Sequence, residues 1–362
     1  MLSKVKIGER SIGEGEPVFI IAEAGSNHNG DFEQALRLID VAAKAKVDAV
    51  KFQLFRARTL YPKSAGQCDY LKIPQSIYDI ISRMEMPYEW LPKLADHCRQ
   101  HGVMFLSSVL DEEGVERLDP YVPAFKIPSY ELTHLPLIQA AARRGKPVIV
   151  STGVATLEEV VEMATAFRET DNEQLIVMQC TGTYPAPFES LNIRAMATLR
   201  EALQVPIGYS DHSRDPLVAP LAATAAGAHL LEKHFTLGNT LPGPDHRFAL
   251  EPAELRLMVQ KVRETEQALG HAEKSVHQAE LELRQFARRS IFALRRIEKG
   301  ECFSKENVAV LRCGALAPGL APKEYPRVLG RRALRAIEAE TTVQLADIGA
   351  EEQVYAEGPL RH

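Results

Sequence analysis

A chain of 362 residues, 45% hydrophobic and 25% charged, has the composition of a soluble globular enzyme with room for a large core. The formal net charge of −5 gives no general attraction to nucleic acid or an anionic membrane, no apolar run reaches membrane-spanning length, and Met1 leads into Lys4 and Lys6 without a signal-peptide core. The five cysteines (Cys68, Cys98, Cys180, Cys302 and Cys313), odd in number and without a Cys-x-x-Cys pair, point to reduced thiols in a cytoplasm.

Residues 4–16 read as a small β-hairpin able to plug the bottom of a barrel. The chain then repeats one unit: a short apolar strand, a polar motif, an amphipathic helix. Strands are predicted at 18–23, 47–52, 103–106, 124–127, 147–150, 175–180, 205–209 and 228–232. Eight such units in succession predict a closed parallel (β/α)8 TIM barrel over residues 1–270, an α/β fold. The segment 54–90 is longer than the other connections and carries a helix-like stretch around Ser76–Met84, a candidate lid. Residues 271–289 are charged and poor in core residues, and read as a linker. From 290 to 350 short strands and turns predict a small β-rich domain, and the tail after Ala350 reads as frayed.

In a barrel of this kind the C-terminal strand ends form the chemical face. They carry Glu23; Lys51 and Gln53; Ser107 and Ser108; Lys126, Ser129 and Glu131; Ser151-Thr152-Gly153; Thr181 and Tyr184; Ser210-Asp211-His212; and Glu232-Lys233-His234. A lone histidine at a strand end is ordinarily structural. Two of them on adjacent strands suggest a site for divalent Mn, Fe, Co or Zn, because neutral imidazoles suit those ions. Two barrel lysines cannot lie unpaired in an apolar interior. With several hydroxyls and a Ser-Thr-Gly turn they make a phosphate cradle. Ion pairing of Lys51 and Lys126 with Glu23, Glu131 or Glu232 is the structural alternative, and a Schiff-base lysine a further one. Asp245 and His246 end a Gly/Pro loop after the eighth strand, placed to touch a polar substrate, or simply to form a turn.

These strings resemble the sialic acid synthase (N-acetylneuraminate synthase) family of nonulosonate synthases: A-E-A-G-S-N-H-N-G, K-F-Q, K-I-P-S-Y-E, S-T-G, Q-C-T-G-T-Y-P-A-P, G-Y-S-D-H-S, E-K-H-F-T and G-P-D-H. The C-terminal R-R-S-I, K-G-E and L-R-C-G resemble its antifreeze-like (SAF) domain, and the likeness spans nearly the whole chain. The resemblance implies condensation of phosphoenolpyruvate with an N-acetylated amino sugar aldehyde, N-acetylmannosamine or a diacetamido hexose, giving a nine-carbon acid and phosphate. It implies a divalent metal on His212 and His234, Mn first and Mg or Co as alternatives. Glu23, Glu131, His212 and His234 would be catalytic. Substrates would be held by Lys51, Gln53, Ser108, Lys126, Ser129, Ser151, Tyr184, Ser210, Asp211 and Asp245, with Arg312 reaching the partner's site in a domain-swapped homodimer. Alternatives are another phosphoenolpyruvate aldolase acting on a phosphorylated sugar, and a non-catalytic carbohydrate-binding protein.

Four departures stand out. S-S-V-L-D (107–111) replaces the family's S-T-P-F-D, so a threonine contact becomes Ser108. Gly182 stands where Asn or Ser is usual, Cys313 replaces a proline, and Tyr130 a glycine. The last is closer to the pseudaminate, legionaminate or spore-coat branches.

Overall fold

The computed structural model of the protein describes residues 4–67 and 75–349. The chain divides into two compact units, Met1–Gly270 and His271–His362.

In the first unit a hairpin, β1 (Val5–Ile7) and β2 (Arg10–Ile12), precedes eight barrel strands. These are β3 (Phe19–Gly25), β4 (Ala49–Leu54), β5 (Met104–Val109), β6 (Phe125–Ile127), β7 (Val148–Ser151), β8 (Leu175–Cys180), β9 (Ile207–Asp211) and β10 (Leu230–His234). Each pairs in parallel with the next, and β10 returns to β3 to close the barrel. Lys126 and Cys98 are buried in this unit.

The barrel interior is filled from alternate strand positions, among them Phe19, Ile21, Ala49, Leu106, Ile149, Met178 and Leu230. Val5, Ile7 and Ile12 of the hairpin belong to the same cluster, so the hairpin plugs the lower end. Each of these side chains larger than alanine contributes about 1.5–3 kcal/mol of burial. The other strand face packs outward on the helices through Ile20, Val50, Phe52, Val150 and Val177.

Several strands run one to three residues beyond the apolar pattern. Asp211 and Lys233 stay in the β9–β10 ladder, where they are register partners and form an ion pair of 2.5 Å. The polar ends are thus held in the sheet by their own neighbours.

Helices α1 (Phe32–Lys44), α2 (Ala57–Leu60), α3 (Ile77–Arg83) and α4 (Leu91–Gln100) come from the first two connections. Asp31 caps α1 by accepting from the amides of Glu33 and Gln34, and Ser76 caps α3 by accepting from Asp79. The helix expected near Ser76–Met84 is α3; Cys68 lies outside the described residues. The remaining helices are α5 (Glu112–Leu118), α6 (Leu135–Ala142), α7 (Leu157–Arg168), α8 (Ala195–Leu203), α9 (Val218–Ala225) and α10 (Pro252–Leu269).

The second unit contains α11 (Leu281–Ala287) and the antiparallel pair β11 (Arg289–Ala293) and β12 (Val308–Arg312). Its small core joins Ile291, Ile297, Phe303, Val308, Val328 and Val343. The stretch expected as a linker is therefore partly helical and begins this unit. The tail after Ala350 lies outside the described residues.

Candidate active site at the barrel mouth

The strand ends bring one polar pocket together. Its lining includes Glu23, Lys51, Gln53, Ser108, Lys126, Ser129, Ser151, Tyr184, Ser210, His212 and His234, all anticipated from the sequence. Tyr130, Cys180, Gly182 and Glu232 are further members of it.

Lys51 Nζ lies 2.7 Å from Glu23 Oε2 and 3.7 Å from Glu232 Oε1, which is also 3.7 Å from Lys126 Nζ. Lys126 donates to Ser151 Oγ at 2.7 Å, Gln53 to Glu23 Oε1 at 2.9 Å, and Ser210 to Glu232 Oε1 at 3.1 Å. Ser129 Oγ accepts from the Gly153 amide at 2.9 Å, fixing the Ser-Thr-Gly turn beside the lysines. Burial pushes the Glu23 carboxyl up to about 7, although Lys51 pulls it down. Burial works the same way on Glu232, but Lys126 and Lys51 together hold its carboxyl below the ordinary range. Glu131, on the turn after β6, is raised to about 7 chiefly by burial. One oxygen each of Glu131 and Glu232 is buried without a hydrogen-bond partner, whereas both oxygens of Glu23 are engaged by Lys51 and Gln53. Such atoms are costly in a fold and ready to accept from a ligand.

The two histidines meet on adjacent strands, with ring centroids 5.5 Å apart. His212 Nδ1 donates to the Thr181 carbonyl at 2.7 Å, which leaves the Nε2 lone pair available. His234 Nδ1 is buried without a hydrogen-bond partner and lies 3.8 Å from Asp245 Oδ2. Burial lowers His212 to about 3 and holds His234 well below its usual value, so both imidazoles are neutral. Neutral rings with open nitrogens fit a divalent transition ion. Tyr184 stacks on His212 at 4.0 Å and meets His234 edge-on, fixing both planes.

Asp245 reaches the mouth because residue 25 is glycine. Gly25 has φ of +55° at a register shift in β3, and a Cβ there would stand 3.1 Å from Asp245 Oδ2. His246 instead is buried against Thr236 Oγ1 at 2.6 Å and next to Asn29, a loop-holding role.

Asp211 departs from its expected role as a substrate ligand. Successive strand residues face opposite sides. Ser210 and His212 turn inward, while Asp211 pairs with Lys233 and accepts from the Ser213 amide at 2.8 Å. Arg312 ends β12 of the second unit, exposed, and is not part of this lining. From the sequence Glu232 is expected only as a partner for lysines; the E-K-H spacing, which turns Glu232 and His234 to one face, is the signal for its place in the pocket.

Residues 38–274 match the NeuB family, and residues 288–349 match the SAF domain. The chain belongs to the NeuB family. It is 43% identical to the spore coat polysaccharide biosynthesis protein SpsE of Bacillus subtilis, over 96% of this chain and 98% of that one. It is 38% identical to the N,N'-diacetyllegionaminic acid synthase of Legionella pneumophila, over 93% and 96%. A crystal structure of the N-acetylneuraminic acid synthetase of Leptospira borgpetersenii superposes with a TM-score of 0.71 at 32% identity, covering 78% of this chain and 95% of that one.

The departures of this NeuB-family chain are coupled. A Cβ at Gly182 would stand 2.8 Å from Val154 Cγ1 and 3.6 Å from Tyr130 Cε1. Tyr130 donates to the Gly182 carbonyl at 3.0 Å. Tyr130 and Val154 together fill the place of a side chain at 182. Cys313 is buried and donates to Ser290 Oγ at 3.2 Å, an anchor within the second unit where the family has proline.

Proposed function

We propose that the chain condenses phosphoenolpyruvate with the open-chain aldehyde of an N-acetylated amino sugar to give a nonulosonic acid and phosphate. The observation that carries this reading is one pocket holding two buried lysines, four serine hydroxyls and two neutral imidazoles. Lys51, Lys126, Ser129, Ser151 and Ser210 hold the two anionic groups of phosphoenolpyruvate by charge-assisted hydrogen bonds. Gln53, Ser108 and Tyr184 shape the space around it, and Asp245 accepts from sugar hydroxyls.

His212 and His234 would hold a divalent ion, Mn in this reading, which supplies Lewis acidity toward the sugar carbonyl. In the reaction a C–C bond forms between the enol carbon and the aldehyde. Water adds to the adjacent carbon, and the C–O bond to phosphate breaks. Glu23 and Glu131, both with carboxyls near 7, are poised to take a proton from that water and to return one. Arg312 is assigned to the partner's site in a domain-swapped homodimer. A cytoplasmic setting agrees with the free thiols of Cys98, Cys180, Cys302 and Cys313. No helix among the described residues is long and apolar enough to cross a membrane.

The test is phosphate release from phosphoenolpyruvate with Mn, across unphosphorylated and phosphorylated N-acetylated hexoses. Release with one unphosphorylated sugar is expected. Release only with a phosphorylated sugar would replace the substrate, and silence across the panel would overturn the reaction.

A further inference from the structure

On the outer face of the barrel unit, α1 and α4 bring three donor side chains together. Asp40 comes from the last turns of α1, His97 from the last turn of α4, and His101 from its C-cap. Residues four apart share a helix face, and the two rings lie 4.2 Å apart between centroids. Asp40 Oδ1 is 2.8 Å from His97 Nε2 and 3.4 Å from His101 Nε2. All three donor atoms lie within 4.8 Å of one another, the only such trio among the described residues.

The tautomer of His101 is fixed from behind. Its Nδ1 donates to the His97 carbonyl at 2.9 Å, so a neutral ring turns the Nε2 lone pair toward the carboxylate. A lone pair facing an anionic oxygen calls for a positive charge between them, either a proton on the ring or a metal ion. The Asp40–His97 distance is that of a hydrogen bond, but the Asp40–His101 distance suits a metal ion: tetrahedral zinc with bonds of about 2.0–2.1 Å places its ligand atoms about 3.3 Å apart. Asp40 and His101 are already at that separation, and Asp40 and His97 need open by only about half an ångström.

We propose that Asp40, His97 and His101 form a second, surface metal site for zinc or a zinc-like ion such as Co2+, with water as the fourth ligand. Two imidazoles and one carboxylate suit these ions and not Ca2+ or Mg2+, which take oxygen ligands. The side chains are 21–39% exposed, so an ion enters directly from solvent. Bound there, it cross-links α1 to α4, the helices that follow the 26–30 turn and the 54–90 excursion of the catalytic face.

The experiment is calorimetric titration of the full chain with ZnCl2, alongside Co2+ visible absorption, for the wild type, Asp40→Asn and the His97→Ala/His101→Ala double variant. The wild type should bind one ion more per chain than either variant, or bind that ion at least tenfold more tightly. Phosphate release from phosphoenolpyruvate should be unchanged in both variants. Asp40→Asn keeps size and hydrogen bonding, so it decides the matter if the double variant fails to fold. Equal stoichiometry and affinity in wild type and Asp40→Asn would overturn the site. So would loss of all zinc binding in His212→Ala/His234→Ala shown by circular dichroism to be folded.

Discussion

Lys51 Nζ lies 2.7 Å from Glu23 Oε2, with both side chains no more than 3% exposed. Neither charge has water to fall back on, so removing one strands the other. Lys51→Met leaves Glu23 and Glu232 facing each other without their shared cation, and should cost about 3–5 kcal/mol. In the double variant Lys51→Met/Glu23→Gln the second change replaces a buried carboxyl that has already lost its cation. Its total cost should fall below the sum of the two single variants. Denaturant unfolding of the four proteins measures this; strict additivity would show that the pair is not coupled.

Glu131 gives a pH dependence with a definite sign. Its carboxyl titrates near 4.5 in the unfolded chain and is raised to about 7 in the fold, chiefly by burial. The folded state therefore prefers the protonated form. The contribution is complete below about 4.5 and is lost as pH rises through about 7. Glu131→Gln should remove that slope. Between pH 4.5 and 7 the wild type should lose about 1–3 kcal/mol of stability relative to Glu131→Gln, since a proton held more tightly by the fold is worth up to about 1.4 kcal/mol per pH unit. Parallel Tm-against-pH curves for the two proteins would refute it.

The barrel is legible in the sequence because its signal repeats. Eight apolar runs, each closing on hydroxyls, acids, lysines or histidines, admit few other architectures. The mouth is legible for the same reason, since strand alternation turns Lys51 with Gln53, and Ser210 with His212, to one side. The same alternation turns Asp211 away, although the string S-D-H suggests three residues acting together. Glu232 beside both lysines follows from the E-K-H spacing, whereas Tyr184 stacked on His212 depends on a contact between strand ends that no local pattern encodes. The Asp40–His97–His101 cluster is invisible in the sequence for a similar reason. Its histidines lie 57 and 61 positions beyond Asp40, and only the parallel pairing of β3, β4 and β5 brings α1 against α4.

Gly182 is held as glycine by its neighbours. Gly182→Ser, the residue common in the family, puts Cβ 2.8 Å from Val154 Cγ1. Val154 has φ of +61° and is 71% exposed, a backbone state that a β-branched residue tolerates poorly. Val154 is exposed and yields by leaving its rotamer, so the variant should lose about 0.5–1.5 kcal/mol. Val154→Gly relieves both the close contact and the positive φ, so Gly182→Ser/Val154→Gly should regain most of the loss. Thermal denaturation of the single and double variants checks this; failure of Val154→Gly to rescue would place the strain elsewhere.

The two mouth histidines yield the sharpest expectation for metal removal. His234 Nδ1 is buried without a hydrogen-bond partner, and His212 Nε2 is left open by the Thr181 contact. Both rings are neutral through burial and need lose no proton before taking up a cation. Chelator treatment should therefore abolish phosphate release from phosphoenolpyruvate, and Mn2+ should restore it. His212→Ala and His234→Ala should each lower turnover by at least about 10³-fold, the weight of several kcal/mol of carbonyl polarisation. Both rings touch Tyr184, and His212 also holds the Thr181 carbonyl, so circular dichroism of each variant establishes that it is folded before its turnover is compared. Electron paramagnetic resonance of added Mn2+ separates the outcomes. A bound signal lost in both variants supports the two-histidine site, whereas full activity in chelator-treated wild type would remove the metal from the reaction.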